Sequence, residues 1–98
     1  MEENEQNTTG RWLRRRDAWM RMLVRDSFVS RNGKLAGVYL ALRLSAKRPF
    51  TYPSMKTMAK DLDVSVRQVA RALKELEDEE YLRVRRSLGK TSSYSLDL

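Results

Sequence analysis

The sequence contains no cysteine and no histidine among its 98 residues. Without cysteine there can be no disulfide bond, no thiolate metal site and no thiol catalysis. Without histidine as well, the chain lacks an ordinary zinc site, a Ser-His-Asp triad and a general base that titrates near neutrality without a large pKa shift. We therefore expect no enzyme, no metal site, no cofactor and no small-molecule substrate.

Long apolar runs are also missing, and none approaches the ~18 residues that a membrane span requires. Near the start of the chain, Glu2, Glu3 and Glu5 are not typical of a signal peptide. We expect a cytoplasmic protein with no membrane partner. A length of 98 residues and a hydrophobic fraction of 41 % fit a single domain with a small core.

Acidic residues are fewer than basic ones and are unevenly placed. Thirteen Asp and Glu stand against twenty Lys and Arg, which leaves a formal net charge of +7. Three of the acids lie in the first ten residues and five lie between Glu75 and Glu80, so the rest of the chain is more basic than the net charge indicates. This composition favours a polyanionic partner such as nucleic acid, although a basic balance also serves solubility.

The spacing of apolar residues predicts helices first and a hairpin at the end of the chain. Residues 1–10 have one apolar side chain and are expected to form a disordered acidic tail before a domain at 11–98. Apolar residues then recur at helical spacing, and after Glu80 they alternate as in a strand. The expected elements are an N-terminal helix at 11–28 in the segment 11–29, a turn at 31–34, helices at 35–47, 54–62 and 65–80, and strands at 82–87 and 92–97.

The helix expected at 35–47 has apolar residues on more than one face. We expect the stripe that includes Leu35, Val38 and Leu42 to point into the core. Leu40 and Leu44 lie on a different face of this helix, so this assignment does not place them in the core. Gly37 is expected to weaken the helix by about 1 kcal/mol relative to alanine.

The spacing inside the helices at 54–62 and 65–80 is that of a helix-turn-helix. This motif needs a small residue where the helices cross and, four positions on, a residue that tolerates left-handed backbone. An apolar residue must follow directly, and another must point inward five positions later. Ala59, Asp63, Val64 and Val69 occupy these positions, and aspartate is among the residues other than glycine that adopt left-handed backbone.

Residues 52–96 read YPSMKTMAKDLDVSVRQVARALKELEDEEYLRVRRSLGKTSSYSL. With Pro53-Ser54, Val64-Ser65, a Val-x-x-Ala-Leu helix from Val69 and a basic hairpin, this segment resembles the winged-helix domains of GntR- and MarR-type regulators. It is most similar to the small winged helices of plasmid and phage replication or regulatory proteins. The pattern differs at Asp63 and Glu80, where glycine is usual, so the exit from the last helix is expected to differ.

The resemblance implies an α+β fold, mainly α: a winged helix-turn-helix with an extra N-terminal helix and a C-terminal β-hairpin wing. It also implies binding of double-stranded DNA by the helix that Ser65 opens. Arg67 and Arg71 lie one turn apart and suit guanine, and Gln68 suits adenine. Lys74 continues the basic end, and the acids that follow are expected to repel phosphate from the far end. The competing interpretation is that Arg71–Glu75 and Lys74–Asp78 are ordinary surface ion pairs.

Two further sets of residues are candidates for contact with the DNA backbone. In the first helix of the motif, an ordinary solvated face is the alternative to phosphate contact. In the wing, positive charge also protects an edge strand from aggregation. The two sets are Ser54, Lys56, Thr57 and Lys60 on the helix, and Arg85, Arg86, Lys90 and Thr91 on the wing.

A homodimer is expected, because one winged helix reads too few base pairs for useful specificity. Leu40, Leu44 and the wide apolar stripe of the N-terminal helix offer surface for a symmetric interface, although these residues could instead cover each other within one chain. The stripe comprises Trp12, Leu13, Trp19, Met20, Met22, Leu23 and Val24. The DNA-binding hypothesis covers a transcriptional regulator and a plasmid or phage replication or partition factor. A protein-interaction module without specific DNA readout is the alternative class.

Overall fold

The computed structural model describes residues 5–87, 89 and 91–98, and in these residues four helices precede a two-stranded antiparallel hairpin. This confirms the mainly helical winged helix-turn-helix fold that the sequence predicts. The helices are α1 (Glu5–Arg25), α2 (Arg31–Leu42), α3 (Met55–Leu62) and α4 (Val66–Asp78), and the strands are β1 (Leu82–Arg85) and β2 (Ser93–Leu96).

Helix α1 begins at Glu5, earlier than the expected start at residue 11, and it ends at Arg25 rather than residue 28. The early start is possible because no proline interrupts this segment and a single interior glycine, Gly10, costs a helix only about 1 kcal/mol. At the other end, the Asp26 carboxylate accepts a hydrogen bond from the Phe28 N–H at 2.9 Å. Such an aspartate turn competes with helix continuation.

The turn expected at 31–34 is wrong, because these residues form the first turn of α2. Ser30 is the N-cap, and its Oγ accepts a hydrogen bond from the Gly33 N–H at 3.0 Å. Asn32 and Gly33 therefore adopt helical backbone. The helix also ends at Leu42, five residues before Lys47, and a hydrogen-bonded turn joins Ser45 to Arg48.

The face of α2 that was expected to be buried is exposed, and the opposite face lies in the core. Leu35 is 50 % exposed and Leu42 63 % exposed, whereas Leu40 and Leu44 are buried. The buried face includes the small residues Gly33, Ala36, Gly37 and Ala41. A Cβ at Gly37 would overlap Leu23 Cδ2 of α1. Small residues therefore let α2 pack closely against its neighbours with Leu40 buried beside them, while Leu35 and Leu42 stay outside.

Helix α4 ends in a hydrogen-bond pattern that usually has glycine in its left-handed position. Glu80 has a φ of 63°, and the N–H groups of Glu80 and Tyr81 donate to the carbonyls of Glu77 and Leu76 at 3.1 and 2.8 Å. This is a Schellman motif with glutamate in the left-handed position. The expectation of a different exit from this helix is wrong.

The hairpin packs one face against the helices. Leu82 pairs with Leu96 and Val84 pairs with Tyr94, and these inward residues alternate with outward ones. Thr51 adds a very short third strand, because it exchanges backbone hydrogen bonds of 2.9 and 2.7 Å with Tyr94. The core comprises Trp19, Leu23, Val29, Ala36, Leu40, Ala41, Leu44, Met58, Ala59, Val69, Ala72, Leu73, Leu76, Tyr81, Leu82, Tyr94 and Leu96.

Within the described part of the chain, no helix is both long enough and apolar enough to cross a lipid bilayer. The same residues contain no group of three or more potential metal ligands.

Candidate nucleic-acid interface

The turn between α3 and α4 has the geometry that the sequence spacing predicts. Asp63 adopts left-handed backbone with φ 56° and ψ 48°, and the Val64 N–H donates to the Ala59 carbonyl at 3.0 Å. Ala59 and Val69 are buried, and Val64 packs against the core from the turn. The crossing of the two helices is thereby fixed, and the N-terminus of α4 is presented at the surface.

The start of α4 is closed by a capping box. Ser65 Oγ accepts from the Gln68 N–H at 3.0 Å, and Gln68 Oε1 accepts from the Ser65 N–H at 2.8 Å. The side chain of Gln68 is therefore held at the helix start. Its Nε2 group is left to donate, and Oε1 would have to accept a second hydrogen bond to pair with adenine in the usual two-point way.

The outward face of α4 carries two arginines without partners. Arg67 and Arg71 are exposed, and neither makes a hydrogen bond or ion pair within the described residues. The expected ion pair between Arg71 and Glu75 is absent there, whereas Lys74 does pair with Asp78 at 3.3 Å. Arg67 and Arg71 are thus the side chains of α4 most available to an anionic ligand.

The acids in the second half of α4 have specific tertiary partners, which sequence reasoning missed. Glu75 Oε1 accepts hydrogen bonds from Ser30 Oγ at 2.8 Å and the Ser30 N–H at 3.1 Å. Glu77 holds the Arg86 guanidinium through two hydrogen bonds of 2.8 and 3.0 Å. These bonds from Arg86 lower the pKa of Glu77. The two glutamates therefore attach α4 to α2 and to the wing, a role that local helix stability does not reveal.

Three of the predicted phosphate contacts of α3, Ser54, Lys56 and Thr57, lie around its N-terminus, whereas Lys60 lies in its last turn. Ser54 is the N-cap, with its Oγ accepting from the Thr57 N–H at 3.1 Å and donating to Thr57 Oγ1 at 2.9 Å. Lys56 and Lys60 are exposed on the same short helix. The N-terminal N–H groups and Lys56 give the start of α3 a positive potential.

The wing residues divide into three cases. Arg85 is exposed and has no partner within the described residues, and Thr91 is exposed beyond it. Arg86 is held by Glu77, so contact with a phosphate would require it to share or leave that ion pair. Lys90 lies outside the residues that the structure describes.

Sequence reasoning did not single out the segment between α2 and α3 as part of a binding surface. Phe50 and Tyr52 are 49 % and 62 % exposed, and Arg43 and Arg48 line the same depression. The only sequence signal is two aromatic residues close to two prolines and several basic residues.

Comparison with known proteins identifies one family. A family model described as a helix-turn-helix domain matches residues 32–82, which is just over half of the chain and runs from α2 to the start of β1. No curated protein and no solved structure matches the chain. The matched segment contains α3, the left-handed turn and α4, so the match and the geometry agree on the same DNA-binding element.

Proposed function

Because the chain belongs to the family of helix-turn-helix domains, we propose that it binds specific sequences of double-stranded DNA with α4 in the major groove. The observation that carries this proposal is that Arg67 and Arg71, beside the capped start of α4, are exposed and have no partner in the part of the chain that the structure describes. Helix-turn-helix domains are typically not enzymes, and this chain acts by binding.

The contacts divide into base reading and backbone positioning. Arg67 and Arg71 read guanine O6 and N7, and Gln68 contributes a donor from Nε2. Phosphate contacts come from the start of α3, the start and middle of α4, and the wing. These contacts involve Ser54, Lys56, Thr57, Lys60, Ser65, Lys74, Arg85, Arg86, Lys90 and Thr91.

The process that this binding serves is regulation of transcription, or replication or partition of a plasmid or phage. The support is the resemblance of residues 52–96 to GntR- and MarR-type winged helices and to those of small replication proteins. In each case the protein works on DNA in the cytoplasm, at the chromosome or a plasmid.

A second copy of the chain completes the binding unit in this proposal. Four of the residues expected at the interface, Trp19, Leu23, Leu40 and Leu44, are buried within one chain. Part of the remaining apolar surface lies between α1 and α2, where Val24 and Val38 line two adjoining depressions, the first also lined by Met20 and the second by Leu35. Twofold pairing through this groove would give a palindromic site, since each copy reads one half.

The DNA proposal is tested by selecting bound duplexes from a random pool and measuring the affinity of variants for the selected site. Arg67→Ala and Arg71→Ala should each cost about 1–3 kcal/mol and relax the preference for the contacted base. Lys56→Ala should weaken binding to all sequences alike. Arg15→Ala removes the same charge from the exposed surface of α1, outside the helix-turn-helix motif, and is the matched control. Normal binding of the selected site by the Arg67 and Arg71 variants would contradict the proposal.

Salt dependence separates DNA binding from the alternative of a protein-interaction module. About five phosphate contacts per chain predict a log–log slope of affinity against salt near −4.5. A flat dependence on random duplex would favour the protein-interaction class.

The homodimer is tested by sedimentation of point variants. Val24→Glu and Leu35→Glu place a charge in the groove and should yield monomers, whereas Phe28→Glu changes a side chain that is 85 % exposed and should not. If the wild-type protein is monomeric at tens of micromolar and still binds DNA with its full affinity, the homodimer proposal is wrong.

A further inference from the structure

The outer face of the small sheet is basic and carries an exposed aromatic ring. Because strand residues alternate, Arg83 and Arg85 of β1 point away from the core on the side opposite Leu82 and Val84. They line one depression together with Ser93, Ser95 and Phe50.

A second depression adjoins the first, and the two share Phe50. It is lined by Arg43 and Arg48 together with Tyr52 and Thr51. Both aromatic residues are large and apolar, yet Phe50 is 49 % exposed and Tyr52 is 62 % exposed. The aromatic–arginine face is defined here as Arg43, Arg48, Phe50, Tyr52, Arg83 and Arg85.

Among the residues that the structure describes, Arg83 is the only arginine of this face that pairs with a carboxylate. Arg43 Nε donates to Thr51 Oγ1 at 3.1 Å, and its guanidinium lies 5.5 Å from the centre of the Tyr39 ring. Arg83 pairs with Asp97 at 3.1 Å. Within the described residues, the Arg48 and Arg85 side chains have no hydrogen-bond or ion-pair partner. The face therefore has an excess of positive charge and suits an anionic ligand.

The aromatic rings decide which anion fits. In a duplex the bases are stacked on each other, so an exposed phenylalanine gains little from a DNA backbone. Unpaired bases, by contrast, stack on aromatic side chains while arginines contact the adjacent phosphates. We propose that the aromatic–arginine face binds a single-stranded nucleic-acid segment, with bases stacked on Phe50 and Tyr52 and phosphates held by Arg48 and Arg85.

This face is separate from the base-reading surface of α4, but it shares Arg85 with the proposed duplex contacts of the wing and adjoins those of α3 at one edge. Tyr52 is followed by Pro53 and by Ser54, the N-cap of α3. A strand leaving the phosphate site at α3 would meet Tyr52 first and then Phe50. One chain could thus hold a duplex and an adjacent unpaired segment together.

The test measures two affinities for each variant of the full chain by fluorescence anisotropy. One probe is a labelled thymidine oligonucleotide of about 12 nucleotides, and the other is the duplex selected for α4. Phe50→Ala and Tyr52→Ala should each weaken binding of the oligonucleotide by about five- to a hundred-fold and leave the duplex affinity unchanged. Arg67→Ala should show the reverse pattern.

Two controls show whether stacking is responsible. Phe28→Ala removes an exposed phenylalanine elsewhere on the molecule and should change neither affinity. Phe50→Leu keeps an apolar side chain but removes the ring, and should lose most of the oligonucleotide binding, whereas Phe50→Trp should retain it. A melting curve for each variant confirms that it is folded.

Ultraviolet cross-linking of the wild-type chain to the thymidine oligonucleotide gives a second measurement that needs no variant. Mass spectrometry should locate the cross-link at Phe50 or Tyr52. Cross-links confined to α4 would overturn the proposal, as would unchanged oligonucleotide affinity in Phe50→Ala. Equal weakening of both probes would also overturn it, because the face would then belong to the duplex interface. The duplex measurements with Arg67→Ala test the proposed function independently.

Discussion

The indole Nε1 of Trp19 donates a hydrogen bond of 3.0 Å to the carbonyl oxygen of Tyr81, 62 positions further along the chain. The two rings meet edge to face, with centroids 5.7 Å apart and an interplanar angle of 85°. The Tyr81 hydroxyl in turn donates to Asp26 Oδ2 at 2.7 Å. Helix α1 is therefore attached to the residue that starts the wing, and it helps to set where the wing lies relative to α4.

Trp19→Phe should destabilise the protein by about 1–3 kcal/mol. The substitution leaves unfilled space in the core and removes one hydrogen bond, although the Tyr81 carbonyl keeps a second partner, the Asp97 N–H at 3.0 Å. Urea unfolding measures the loss. Trp12→Phe, on the same helix but only partly buried, is the matched control and should cost less. Equal losses would show that the Tyr81 contact contributes nothing.

Replacement of glycine by alanine should have opposite effects on the stability of the protein at two helical positions, Gly37 and Gly10. At Gly37 the new Cβ would overlap Leu23 Cδ2 and lie 3.3 Å from Trp19 Cη2. Overpacking of about 1–3 kcal/mol should outweigh the gain in helix propensity of about 1 kcal/mol. At Gly10 the new Cβ would lie in ordinary contact with Arg14 Nη1, at 3.4 Å, so Gly10→Ala should stabilise α1. Thermal unfolding of both variants checks this, and a gain at Gly37 would contradict the close packing of α1 and α2.

The sequence predicts α3, α4 and the hairpin because their signals are local. The capping box at Ser65 and the left-handed turn at Asp63 each depend on residues a few positions apart, and the structure contains both. Helix α2 is different, because its leucines lie on two faces, with Leu40 buried and Leu35 and Leu42 exposed. A rule that places leucine and valine inside fails when glycine and alanine bring the helices close together.

The sequence could not predict the hydrogen-bond and ion-pair partners of the residues in the candidate site. Glu75 bonds to a residue 45 positions away, and this contact exists only once α2 and α4 are packed. The arginines of α4 follow from helical spacing, since Arg67 and Arg71 lie opposite the buried Val69 and Leu73. The exposure of Phe50, by contrast, depends on how the segment before α3 crosses the sheet.

Glu80→Gly should stabilise the protein by about 0.5–1 kcal/mol. Left-handed backbone costs a residue with a side chain about 1–2 kcal/mol, and part of the gain is offset because glycine has more freedom in the unfolded chain. Glu79→Gly removes the same charge at a φ of −86° and should destabilise instead. Denaturant midpoints give both values. A loss of stability in Glu80→Gly would mean that the side chain of Glu80 stabilises the protein by more than its left-handed backbone costs.

The pair formed by Tyr81 and Asp26 predicts a change in stability at alkaline pH. Burial, followed by the hydrogen bond to Asp26, raises the pKa of Tyr81 from 10.0 to about 12. Folding therefore favours the neutral phenol, and this contribution is complete below pH 10 and is lost as the pH rises from 10 towards 12. The free energy of unfolding of the wild type should fall over that interval more steeply than that of Tyr81→Phe.

The Tyr81→Phe variant also tests how the hydrogen bond between Tyr81 and Asp26 changes stability at acidic pH. The hydrogen bond from Tyr81, followed by that from the Phe28 N–H, holds the pKa of Asp26 below its ordinary 3.8. This contribution is present above pH 3.8 and is lost as the pH falls through the lowered pKa. The difference in the free energy of unfolding between wild type and Tyr81→Phe should thus be greatest between pH 3.8 and pH 10.0. It should become smaller at more acidic and at more alkaline pH. Tyr39 and Tyr94, whose pKa values are also raised, are present in both proteins and cancel in the difference. A difference that stays constant from pH 3 to pH 12 would show that the hydroxyl of Tyr81 is not coupled to Asp26.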